Sequence, residues 1–154
     1  MKTCFFLGHR DAPDSLRPLL EESIVRHITA YGVTHFTVGQ HGRFDALVMQ
    51  ALREAKRRHP VTLSLLLAYH PFDRPVEVPE WFDDTFYPPG MEQVPKRAAI
   101  MQANRYMIRN SDYLICFDRG QVGNTRELVE VARRRELNGM MQVENLVVQS
   151  KHLY

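Results

Sequence analysis

Four short stretches of this chain combine glycine with arginine, histidine, amide, hydroxyl and acidic side chains, and each stands directly behind an apolar run. They are Gly8-His9-Arg10, Gly39-Gln40-His41-Gly42-Arg43-Phe44-Asp45, Tyr69-His70-Pro71, and Asp118-Arg119-Gly120-Gln121-Val122-Gly123-Asn124-Thr125. Such mixtures suit the binding of an anion. Arg10 offers a planar, permanently charged fork that matches phosphate. Gly8 leaves room for a ligand close to the backbone, and Gly39 and Gly42 can take conformations other residues avoid, leaving amides near a helix start free to point at an anion. Asp45 is either part of that site or a partner of the helix dipole. His9 and His41 are either ligand contacts or polar loop residues. None of the glycine patterns is specific alone: G-H-R is no dinucleotide fingerprint, and "GQHGRF" lacks the lysine of a Walker loop.

The elements that position these stretches alternate. "TCFFL", "THFTV", "VTLSLLLAY", "YLICF" and "QVENLVVQ" read as buried strands. Between them, apolar periodicity predicts helices over Ser15 to Tyr31, Phe44 to His59, Lys96 to Arg109 and Thr125 to Asn138. Asp14 or Ser15 is the expected cap of the first helix and Gly32 its end. The order implies an α/β fold: a single Rossmann-like domain over residues 1–154, with a mostly parallel sheet and helices on both faces. In such sheets ligands lie beyond the carboxyl ends of the strands, where strand order reverses. All four polar stretches fall on that edge, whereas the opposite loops, "YGV" and "RHP", read as plain turns.

From about residue 70 to 95 the alternation stops. Six prolines, from Pro71 to Pro95, are interleaved with Phe72, Trp81, Phe82, Phe86 and Tyr87. A loop this long is more often functional or partner-covered than idle, although its aromatics also suit simple packing. It offers a surface for a homodimer.

Composition excludes several classes. At 154 residues with 44% hydrophobic and 25% charged residues, the chain reads as one globular domain. A formal net charge of +2 gives little electrostatic footprint for DNA, which is not expected as a partner. Cys4 and Cys116 lie within apolar runs, which argues against a disulfide framework and for a reducing cytoplasm. No metal-ligand spacing is present, no cofactor is implied, and no segment is apolar enough to span a bilayer.

With these residues in place, the chain resembles the SLOG superfamily, the Rossmann-like group that contains the lonely-guy phosphoribohydrolases and the DprA proteins. It looks most similar to the small bacterial YpsA-like branch. The resemblance rests on "FFLGHRD", "VGQHGRFDALVMQAL", "FYPPGMEQVPKRAAI" and "NRYMIRNSDYLICF" leading into "GQVGNTRELVEVA". It implies a nucleotide-derived ligand. In the lonely-guy enzymes a G-G-x-G-T-x-x-E motif binds phosphate and supplies a glutamate for N-glycosidic cleavage. Here Gly120, Gly123 and Glu127 match it, while Gln121 and Asn124 replace the second glycine and the threonine, and Arg119 stands where a proline usually precedes. The arginine-lysine pair of those enzymes falls on Ala103 and Asn104, with Arg105 adjacent. The resemblance thus marks Glu127 and Arg105 as catalytic candidates, and Asn104, Gly120, Gly123, Asn124 and Thr125 as ligand contacts beside Gly8, His9, Arg10, Gly39, Gln40, Gly42, Phe44 and Asp45. Glu127 is also well placed as an ordinary first-turn dipole partner. The expected function is binding of a nucleotide-like small molecule, with nucleoside monophosphate hydrolysis as the alternative.

Overall fold

The computed structural model describes residues 1–147. Six parallel strands form one sheet: β1 (Lys2–Gly8), β2 (Val33–Val38), β3 (Thr62–Leu66), β4 (Asp84–Phe86), β5 (Tyr113–Phe117) and β6 (Gln142–Asn145), in the order β4-β3-β2-β1-β5-β6. The helices are α1 (Arg17–Thr29), α2 (Arg43–Arg58), α3 (Ala99–Asn110) and α4 (Asn124–Leu137). The architecture is Rossmann-like. β1 pairs with β2 on one side and β5 on the other, so strand order reverses between β1 and β5.

Alternation along the strands explains the three layers. Cys4 and Phe6 of β1 pack with α1 and α2, through Leu20, Ile24, Val48 and Leu52. Phe5 and Leu7 point the other way, to Ala103, Ile108, Leu128 and Ala132 of α3 and α4. Cys4 and Cys116 are free and belong to opposite faces. Burial pushes both thiols up, Cys116 to about 12.

Several boundaries differ from the sequence reading. The first helix begins as a 3-10 turn, Asp14–Leu16, without a side-chain cap bond. Asp14 instead accepts from Arg43 Nη2 at 2.6 Å, tying the starts of α1 and α2 together. The third strand stops at Leu66 rather than Tyr69, ahead of the turn in which His70 O accepts the Asp73 and Arg74 N–H groups. The last strand ends at Asn145, and Val148 and Gln149 of its expected length lie outside the described residues.

The largest difference lies in the proline-rich stretch. It contributes β4, a short edge strand parallel to β3, through which the sheet gains a member that the sequence did not announce. Ser64 Oγ donates to Asp84 Oδ1 at 2.5 Å and the Asp83 N–H to Leu63 O at 2.9 Å. Trp81 packs on its own chain, donating Nε1–H to Met49 O at 3.2 Å with the Arg53 guanidinium 4.9 Å from its ring. Among the described residues no helix is long and apolar enough to cross a membrane.

Candidate functional site

At the switch point between β1 and β5 the carboxyl-edge loops and the starts of α3 and α4 enclose a cleft of about 370 Å³. β1 and its loop supply Phe6, Leu7, Gly8, His9, Arg10 and Asp11; the β2–α2 connection supplies His41 and Asp45. Arg97 comes from the 3-10 turn Lys96–Ala98 that leads into α3, Ile100, Met101 and Asn104 from α3 itself, and Asn124, Thr125 and Leu128 from α4. The spacing i, i+3, i+4, i+7 from Arg97 to Asn104 is one helical face, which is why these four reach the cleft together. The first turn of α4 follows Gly123 with no side-chain cap bond, and Asn124 and Thr125 of that turn border the cleft. A helix start in this state favours an anion.

The loops are fixed to one another by specific contacts. Arg43 N–H donates to Arg10 O at 2.8 Å. Gly42 has φ +101°, and a Cβ there would lie 2.8 Å from the Arg10 Cα, so this glycine is needed for the two loops to meet. On the other side, the Arg119 N–H donates to His9 Nε2 at 2.9 Å and Arg119 Nη2 pairs with Asp11 Oδ1 at 2.6 Å. Because Nε2 accepts, the proton of a neutral His9 sits on Nδ1. Burial, then the Arg119 charge, lowers the His9 pKa, outweighing Asp118 and Asp11. His9 is thus a latch holding the β5 loop to β1 as well as a cleft wall. Asp118 continues that loop by accepting the Gly120 N–H at 2.9 Å, while its main chain exchanges two hydrogen bonds with the Asn145 amide.

Asp45 lies deep in the concavity, half-buried. Its Oδ2 accepts the His41 N–H at 3.1 Å, and a Cβ on Gly39 would stand 3.0 Å from the same oxygen. Burial pushes the Asp45 carboxyl up to about 7, against the smaller downward pull of the His41 N–H. His41 is pushed down by burial and by Arg10 and Arg74, and its buried Nε2 has no partner among the described residues.

Not every residue singled out from the sequence reaches the cleft. Phe44 is fully buried, its ring against Gly8, where an added Cβ would lie 2.3 Å from it. Gly8 is therefore required by core packing, and Phe44 does not line the cleft. Gly39, Gly42, Gly120 and Gly123 shape the loops without lining it, and Gln40 faces a neighbouring cavity. Arg105 and Glu127 pair with each other at 3.8 Å between α3 and α4, and neither lines the cleft. One position along α3 from Asn104 turns the side chain by about 100°, which carries Arg105 to α4.

Arg97 is the residue that sequence reasoning missed. It lies in the 3-10 turn Lys96–Ala98 that leads into α3, and this turn follows a strand that ends at the same sheet edge. That strand, β4, went unread. Arg10 and Arg97 both line the cleft and neither forms an ion pair with a described residue. No group of three or more metal-ligating side chains occurs among the described residues.

Fold and cleft together define a Rossmann-like α/β domain with an arginine-bearing cleft at the sheet's switch point. Neither a known protein-family profile nor a curated protein matches the chain.

Proposed function

We propose that the protein binds a phosphate-bearing, nucleotide-like small molecule in the cleft between β1 and β5. One observation carries this reading. Arg10 and Arg97, without ion-pair partners among the described residues, line the same 370 Å³ space as the uncapped first turn of α4. Two guanidinium forks and a helix start hold phosphate by charge-assisted hydrogen bonds, and the volume suits a small nucleotide. The resemblance to the SLOG superfamily favours the same class of ligand.

Hydrolysis of a nucleoside monophosphate at its base–ribose bond is the second reading, and Asp45 favours it. A carboxyl at about 7 in the cleft is poised to exchange a proton near neutral pH. Glu127, with 60% of its side chain exposed and its carboxylate near Arg105, is less suited to that role.

Purified protein incubated with AMP, GMP, CMP and UMP, followed by calorimetric titration and chromatography for free base, tests both. Binding that Arg10→Ala and Arg97→Ala each weaken at least tenfold is the expected result. Release of base that Asp45→Asn abolishes, with binding retained, establishes the hydrolase. Absence of binding to every nucleotide overturns both.

A further inference from the structure

We infer that a second cavity beside the cleft is the base subsite, so that the ligand is a nucleotide held across two chambers; this rests on the phosphate-binding reading above. The second cavity, also about 370 Å³, is lined by Gln40, Tyr69, Arg74 and Glu77 among others, and His41 lines both it and the cleft. The two spaces therefore share a single imidazole as their boundary.

The wall of the second chamber is built for a flat partner. The Arg74 guanidinium lies 3.8 Å above the centre of the Tyr69 ring. Its backbone is fixed by the turn in which the Asp73 and Arg74 N–H groups donate to His70 O at 2.9 and 3.0 Å. The Tyr69 hydroxyl donates to Lys96 O at 3.2 Å, one residue before Arg97 of the cleft. The cation-π pair is thus anchored to the segment that supplies a phosphate arginine. A guanidinium held over one ring offers a cation and a planar surface to a second aromatic group entering the chamber. Gln40 adds an amide with both donor and acceptor for the edge of a base. Glu77 disfavours a second phosphate in this chamber, which selects the base. The buried, unpartnered His41 Nε2 leaves a polar atom at the boundary, where a ribose hydroxyl would pass.

The test compares ribose 5-phosphate, which reaches only the cleft, with AMP, by calorimetric titration. AMP should bind at least tenfold more tightly. Arg74→Ala should remove about tenfold of the AMP affinity and leave ribose 5-phosphate unchanged. Arg74→Lys, which keeps the charge but loses the plane, should resemble the alanine variant. Because Arg74 is exposed, both variants should retain the parent's thermal midpoint. Equal affinity for the two ligands, or equal weakening of both by Arg74→Ala, overturns the base subsite while the phosphate site stands. If neither ligand binds, the phosphate reading falls and this inference with it.

Discussion

Asp45→Asn should stabilise the protein, and by an amount that depends on pH. The carboxyl moves from 3.8 to about 7 on folding because burial penalises its charge. A raised pKa places its full stabilising contribution below pH 3.8, and that contribution is lost as pH rises towards 7. That difference corresponds to about 4 kcal/mol. The group opens into the cleft, so water reaching it reduces this to about 2 kcal/mol. Asparagine keeps an oxygen for the His41 N–H but carries no charge. The variant and parent should therefore nearly coincide at the acid end of the range and separate steadily up to pH 7. Above pH 7 the variant should melt higher by about 6 °C for a chain of this length. Thermal melts of both proteins in half-unit steps from pH 4 to pH 8 measure the divergence. A gap that stays constant with pH, or a parent more stable than the variant at pH 8, refutes the placement of a desolvated carboxyl here. The same charge bears on binding. Above pH 7 an anionic ligand should take up a proton on entering the parent, detected as a calorimetric heat that varies with buffer, and Asp45→Asn should abolish that uptake.

Gly8→Ala should cost about 2 kcal/mol, since its Cβ would stand 2.3 Å from the Phe44 ring in a packed core, and urea denaturation will register the loss. Glu144 should protect the fold against acid. Burial opposes its charge, but hydrogen bonds from Arg26 at 2.6 Å and from Ser23 outweigh it and hold the carboxyl below its ordinary 4.5. That stability is present above pH 4.5 and lost as pH falls through the lowered value, so Glu144→Gln should flatten the acid limb of a stability–pH curve. Glu127→Gln should leave AMP affinity within about twofold of the parent, because the side chain contacts Arg105 rather than the cleft; a tenfold loss in titration would contradict that placement.

Much of the fold was legible because its strongest signals are long. Unbroken apolar runs such as "YLICF" announce strands covered on both faces, and the helical periodicities match α1 to α4 apart from a few terminal residues. β4 was not legible. Asp84-Thr85-Phe86 has neither length nor apolar alternation, and its existence depends on hydrogen bonds offered by β3. Missing it hid the reason that Arg97, in the turn before α3, lies at the carboxyl edge of the sheet. The cleft lining was legible where chemistry and position coincided, as at His9, Arg10, Asp45, Asn104, Asn124 and Thr125. It was illegible where a residue's partner lay far along the chain. Gly8 reads as an opening for ligand until Phe44 is seen against it, and Arg119 reads as a lost proline until its pairing with Asp11 appears. Motif alignment pointed at Glu127 through matching spacing and at Arg105 only as the neighbour of Asn104, and rotation about α3 carries Arg105 to α4.

The central claim is that a nucleotide phosphate sits between Arg10, Arg97 and the start of α4. Two-dimensional amide NMR of the labelled protein titrated with AMP locates the ligand directly. The predicted result is saturable shifts concentrated on Gly8 to Arg10, Arg97 and Asn124 to Arg126, lost in Arg10→Ala. Shifts centred elsewhere on the surface, or none at millimolar AMP, would contradict it.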